Sequence, residues 1–268
     1  MKAVGSIAVN VFRESVRDKV LYNLVLFAIL LMGASFLIGS LTAGQDVKII
    51  KDLGLAATSI FGLFIAIFIG IGLVSKEVER RSIYGLLAKP VDRYHVVLGK
   101  YAGLVLTLAV NLAVMATALF IVLGVMSWLE DPLVKTAWEA PAADPRMLTA
   151  IWLTFVELAI VTAIALFFST FSTPILSAAF TFGLFVAGRF SADLRNFNQV
   201  VDSTAAAALA RILYWALPNL APFDVRSQIV HAQPVPLGYL ALTSGYALLY
   251  IAALLVASVL IFSRRDFK

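Results

Sequence analysis

The chain has 268 residues, of which 61% are hydrophobic and 14% charged, with 21 lysines and arginines against 16 acids and no cysteine. A soluble domain carries about 25% charged residues, so with a mean hydropathy of +0.94 most of this chain is expected in lipid. The lack of cysteine excludes disulfides, thiolate metal sites and cysteine nucleophiles, and the net charge of +5 falls in short clusters beside apolar runs, a membrane pattern rather than a nucleic-acid-binding one.

At the N-terminus, Val4, Ile7, Ala8, Val11, Phe12 and Ser15 follow an i, i+3, i+4 pattern, with Asn10, Arg13, Glu14 and Arg17 on the other face. Residues 1–19 therefore read as an amphipathic interface helix on the inner membrane surface. Uncharged runs follow over Val20 to Leu41, Leu53 to Ser75 and Tyr101 to Leu129, of 22, 23 and 29 residues. Each meets the ~20 residues needed to cross the hydrocarbon core. Between Arg146 and Arg189 the one charge is Glu157, and this length suits two crossings broken at Ser169 to Pro174, where proline can start the second helix. A stripe of Leu194, Phe197, Val201, Ala205, Ala208, Ile212 and Trp215 predicts a helix lying on or dipping into the outer leaflet, within an extracytoplasmic helical region over 191–236. Leu237 to Ser263 supplies a sixth run, ending at Arg264 and Arg265. The expected fold is an all-α integral membrane protein of six transmembrane helices, one transmembrane domain over 1–268 with no internal repeat or separate soluble domain.

An even number of crossings puts both termini on one side. Lys2, Arg13, Arg17 and Lys19, the basic residues of loop 76–100, and Arg264, Arg265 and Lys268 make up 13 of the 21 basic residues. The positive-inside rule makes these segments cytoplasmic. Residues 43–52 and 128–146, where acids match or outnumber bases, fall on the other side. The first apolar run has full span length and no small-x-small cleavage site, so a cleaved signal peptide is not expected.

Soluble chemistry finds little support. Gly99-Lys100 looks like the end of a phosphate loop, but position 94 is Tyr where that motif needs its first Gly and position 101 is Tyr where Ser or Thr would hold magnesium. His95 and His231 are predicted on opposite sides of the membrane and cannot pair on a metal. The G-x-S-x-G serine motif does not occur. A non-catalytic chain without a cofactor of its own is the expectation.

The loop KEVERRSIYGLLAKPVDRYHVVLGK, residues 76–100, holds six of the basic residues between two apolar runs. Its first half continues the second span as a helix, and Pro90 breaks that helix and opens a short new one with Asp92 in its first turn. Ile83, Leu86, Leu87, Val91, Val96, Val97 and Leu98 are too apolar for a solvated loop. Either headgroups cover them and the basic residues fix topology alone, or a cytoplasmic partner docks there.

The run Glu77-x-Glu79-Arg-Arg-Ser-Ile-Tyr-x-Leu-Leu-Ala-Lys89-Pro90-x-x-Arg93, ending in Leu98-Gly99-Lys100, resembles the cytoplasmic loop of type-2 ABC exporter permeases. It is most similar to the subgroup of permease components linked to multicopper-enzyme maturation and gliding motility. Phe12-Arg-Glu-x-x-Arg-x-Lys19, Leu166-Phe-Phe-Ser-Thr-Phe-Ser-Thr-Pro174, Leu217-Pro-Asn-Leu-x-x-Phe-Asp224 and Arg264-Arg-Asp-Phe267 extend the resemblance over the full length. Ser82 stands where Thr is expected most often.

The resemblance implies a homodimer, or a heterodimer with a paralogous permease, in a bacterial or archaeal inner membrane. Two separately encoded ATPase subunits would hold the ATP and magnesium. The loop would carry the coupling helix that seats in a groove of the ATPase, built from Leu86, Leu87, Lys89, Pro90 and Arg93, with Glu77 and Glu79 beside it. Pro90 would set the corner, the N-terminal helix would touch the ATPase, and 191–236 would form the extracytoplasmic cap.

Glu157 lies about ten residues into the fourth span, hence ~15 Å deep and near the bilayer midplane. A carboxylate there is costly: it either fastens neighbouring helices or lines a substrate path. Asn23 and Asn111 read as interhelical hydrogen-bonding residues, and Gly62, Gly70 and Gly72 as a close-packing face at a dimer seam. The leading reading is the permease subunit of an ATP-driven exporter. The alternatives are an ion-gradient-driven secondary transporter with Glu157 carrying protons, and a membrane scaffold for assembling an extracytoplasmic enzyme.

Overall fold

Apolar runs too long to be left in water, separated by short polar breaks, leave the backbone one option in lipid: helices that satisfy their own N–H and C=O groups. The computed structural model describes residues 2–39, 46–79, 92–136, 138, 140–191 and 217–264, and no strand occurs among them. Its helices are α1 (Lys2–Val16), α2 (Lys19–Gly39), α3 (Asp46–Glu79), α4 (Arg93–Leu129), the single turn α5 (Pro132–Lys135), α6 (Met147–Ser169), α7 (Pro174–Arg189), the short α8 (Arg226–Val230) and α9 (Leu237–Arg264), with a 3-10 turn at Ala221–Phe223. Five of them, α2, α3, α4, α6 and α9, are long and apolar enough to cross a membrane. The predicted fifth crossing is the 16-residue α7, about 24 Å long at 1.5 Å per residue, short of the ~30 Å core.

α3 and α6 form the centre. Of their most apolar stretches 72% is buried, against 22% for α2 and 17% for α9, so α2 and α9 are the outer helices. Their exposed Leu26, Phe27, Leu30, Leu242, Leu248 and Leu249 suit a lipid environment. The α3–α6 contact is close because α3 has no side chain at its crossings: a Cβ at Gly70 would stand 2.5 Å from Ala165 Cβ, and one at Gly62 2.5 Å from Leu158 Cδ1. Lipid tails are as apolar as leucine, so such van der Waals fit replaces hydrophobic exclusion as the force joining the helices. Gly62 and Gly70 thus pack within the chain rather than at a dimer seam.

The N-terminal stripe forms as predicted, with Val11 and Ser15 buried and Asn10, Arg13 and Glu14 exposed on α1. Its apolar face is seated on the first turns of α4, where a Cβ at Gly99 would lie 2.7 Å from Ile7 Cβ and one at Gly103 2.6 Å from the Ala8 carbonyl oxygen. Gly99 is therefore a packing glycine, and Arg93 to Lys100 are the opening turns of a 37-residue helix rather than a separate short one. At the other end, α3 begins at Asp46, seven residues before the predicted run. This buries Lys51, read in the sequence as part of a polar loop, to 1% exposure, and its Nζ donates to the Pro141 carbonyl at 2.8 Å. The break before Pro174 is as expected, with proline in the first turn of α7 and Phe167, Phe168, Phe171 and Phe180 stacked edge to face or tilted across the hairpin.

Gly70→Ala should lower thermal stability in detergent by about 1 to 3 kcal/mol, since overpacking strains both central helices. Gly124→Ala, with nothing within 4 Å of the added carbon, should be neutral or slightly stabilising because alanine is the better helix former.

Candidate functional site: a buried charge ladder at the end of α7

Because α7 is short, its last residue, Arg189, stops inside the depth of the bundle, level with Glu157 on α6. Residues 217–224 then return to the same level. The Leu220 backbone N–H donates to the Gly188 carbonyl at 3.0 Å, Ser191 Oγ to Asn219 Oδ1 at 2.9 Å, the Asn219 N–H to Tyr246 Oη of α9 at 2.9 Å, and Tyr239 Oη to the Pro222 carbonyl at 2.6 Å. A Cβ at Gly188 would come within 2.7 Å of the Pro218 carbonyl oxygen, so the α7 terminus can receive this re-entrant segment only through a glycine. These bonds satisfy non-helical backbone inside the bundle, the condition under which it is tolerated there.

Four charges meet at this junction. Arg189 Nη2 donates to Glu157 Oε2 at 2.8 Å, and Nε lies 2.8 Å from Oε1. The Nε contact is an ion pair without hydrogen-bond alignment, so Oε1 has no aligned donor although it is buried. On its other edge Arg189 Nη1 donates to Asp224 Oδ2 at 2.6 Å. Asp224 in turn accepts from Arg226 Nε on Oδ1 and Nη2 on Oδ2, both at 2.9 Å, and its Oδ1 lies 3.3 Å from the Arg226 backbone nitrogen. Two acids and two bases alternate, so the ladder carries no net charge, the state a low-dielectric site requires. Side-chain exposure climbs along it, from 1% at Glu157 and 19% at Arg189 to 27% at Asp224 and 30% at Arg226. It therefore runs from the sealed centre toward the end of the bundle that carries α8. The Arg189 guanidinium also lies 5.5 Å from the Phe185 ring centroid, a cation–π contact.

Burial alone would raise the Asp224 carboxyl. The Arg226 hydrogen bonds and the charges of Arg189 and Arg226 outweigh it and hold the group at about 2. A depressed carboxylate contributes stability at pH values above its unfolded value, and that contribution is lost as pH falls through about 2. The outer half of the ladder is accordingly ionised at any physiological pH.

Of the residues singled out in the sequence, Glu157 lies in this site. Glu77 and Glu79 occupy the last turn of α3 and Arg93 is the first residue of α4, while Leu86, Leu87, Lys89 and Pro90, and the stripe Leu194 to Trp215, lie outside the described residues. Asn111 bonds within its own helix, Nδ2 to the Thr107 carbonyl at 2.7 Å, and Asn23 is exposed on α2, so neither fills the interhelical role expected of it. Arg189, Asp224 and Arg226 were not singled out. An acid at midplane demands a base, and Arg189, closing the next apolar run, was the signal available.

A profile described as ABC-2 family transporter protein matches residues 6–267, and the chain belongs to that family. It is a membrane permease component of an ABC transporter, in a family whose members are generally non-catalytic membrane subunits working with ATPase partners. No match to the chain was found among curated proteins.

Glu157→Ala should destabilise the protein by about 3 kcal/mol, because it leaves the largely buried ladder with two bases to one acid and takes one of the two partners of Arg189. Adding Arg189→Met should recover most of that loss, since Asp224 keeps Arg226 as its partner. Thermal unfolding of the single and double variants in the same detergent measures the difference.

Proposed function

We propose that the chain is the permease subunit of an ATP-driven exporter of the inner membrane, dimeric and served by two separate ATPase subunits that hold ATP and magnesium. The family match over residues 6–267 carries this reading. Geometry supports it at one end of the bundle. α3 continues four residues past the apolar run ending at Ser75, to Glu79, and α4 begins at Arg93 with α1 seated on its first turns, so the amphipathic helix and the ends of the basic loop share that end. We place this end in the cytoplasm with both termini, count α7 as a fifth of six crossings, and put 191–236 on the far side as a cap that re-enters the bundle. Loop residues Leu86 to Arg93 are the proposed contact with the ATPase. The narrower assignment, to permease components linked to multicopper-enzyme maturation and gliding motility, rests on the sequence motifs alone. Glu157 is proposed to fasten α6 to α7 rather than to line the path, since Arg189 engages both of its oxygens.

Burial of a leucine is worth about 1.5 to 3 kcal/mol, so Leu87→Ala should weaken ATPase copurification about tenfold or more. Arg93→Glu should release the partner or uncouple transport-stimulated ATP hydrolysis without affecting membrane insertion. Lys2→Gln is the control, and a cysteine at Leu133, 80% exposed, should label only from the extracytoplasmic side in all three. Leu87→Ala and Arg93→Glu variants that behave like the control in copurification and hydrolysis would leave the loop a topological anchor.

A further inference from the structure

At the end of the bundle opposite α1, a groove of about 610 Å³ is lined by Ile38 of α2, Lys48, Ile49, Asp52 and Leu53 of α3, and Ser227, Val230 and His231 at α8. Ile38 is the second-last residue of α2 and Lys48 the third of α3, so the groove opens where two spanning helices end, at the depth of lipid headgroups. One wall is apolar, from Ile38, Ile49, Leu53 and Val230. The other carries Lys48 and Asp52, four residues apart on one face of α3 and so about 6 Å apart along its axis.

We infer that this groove binds a phosphoethanolamine lipid, with phosphate toward Lys48, ammonium toward Asp52 and His231, and acyl chain along the apolar wall. Opposite charges one helical turn apart match a zwitterion better than an anion. The histidine selects among zwitterions. His231 Nδ1 lies 2.8 Å from the Ser227 carbonyl oxygen, which can only accept, so the neutral ring carries its proton on Nδ1 and leaves Nε2 as an acceptor. A primary ammonium has N–H groups for both Nε2 and the Asp52 carboxylate. A trimethylated choline has none.

The site adjoins the charge ladder, since α8 supplies both the groove's third side and Arg226, whose side chain holds Asp224. A seated lipid would bridge α8 to α2 and α3. Left-handed Ala232, at φ 57°, closes α8 with its carbonyl accepting from Arg146 Nη1 at 2.7 Å, so this rim of the groove is anchored from two directions.

The test is thermal unfolding of the delipidated full-length protein in detergent, titrated with phosphatidylethanolamine, phosphatidylcholine and phosphatidylglycerol of identical chains, with native mass spectrometry counting retained lipid. Phosphatidylethanolamine should stabilise at concentrations at least about fivefold lower than the others, since a ligand that binds the folded state stabilises it by mass action. Asp52→Asn should abolish its advantage over phosphatidylcholine, and Lys48→Gln should weaken both. Equal responses to the three lipids, a preference for the anionic one, or an undiminished ethanolamine preference in Asp52→Asn would each overturn the assignment. If the variants do not fold, the preference of the unmodified protein decides.

Discussion

Arg189 is shared between two carboxylates on different parts of the chain, Glu157 on α6 and Asp224 on the returning segment, and the inner half of the molecule is arranged around that sharing. An acid placed that deep is tolerated only with a base against it. The base has to reach it, which requires α7 to stop short with Arg189 as its last residue. A helix that stops inside the bundle leaves carbonyl groups without intrahelical partners. The return of residues 217–224 answers that need, with Leu220 donating to the Gly188 carbonyl and Asp224 accepting from Arg189 on its free edge. The short helix, the glycine before its last residue and the re-entrant segment follow from one buried charge.

The surrounding bundle is held by a different force. Around the ladder, α3 and α6 approach through Gly62 and Gly70, and α1 approaches α4 through Gly99 and Gly103. These are contacts of shape, cheap to form in lipid and intolerant of an added methyl group. The two kinds of interaction divide the molecule. Steric fit sets the long helices at the centre and seats α1, while charge pairing, with neutral hydrogen bonds from Leu220, Asn219 and Tyr239, fixes the end of α7 and the segment that returns to it.

The long elements were legible because charge in hydrocarbon is so costly that apolar runs must end where helices leave the membrane. α2, α6 and α9 lie close to the runs read from the sequence, α4 ends with its run but begins eight residues before it, α1 follows its 3.6-residue stripe, and Pro174 marks the α6–α7 break. Two further things escaped. The start of α3 was misplaced because Lys51 and Asp52 interrupt hydropathy, whereas Lys51 is buried by donating to the Pro141 carbonyl, a contact 90 residues distant that a local window cannot register. The partners of Glu157 were missed for the same reason. Arg189 is 32 residues away and Asp224 is 35 beyond that; the first read locally as the charge closing an apolar run and the second as the end of a motif. Glycines on α3 signalled close packing correctly, but not whether the neighbour was another helix of the same chain or a second copy.

The re-entry of residues 217–224 to the end of α7 carries the most weight, and the absence of cysteine from the chain makes it directly measurable. Ser191 and Asn219 touch through their side chains at 2.9 Å. In membranes containing the Ser191→Cys/Asn219→Cys variant, mild oxidation should form an intramolecular disulfide rapidly and in high yield, with Arg189→Gln slowing it by loosening the segment. Failure of the pair to cross-link in folded protein, while both cysteines react with a water-soluble maleimide, would place the segment outside the bundle and contradict the account.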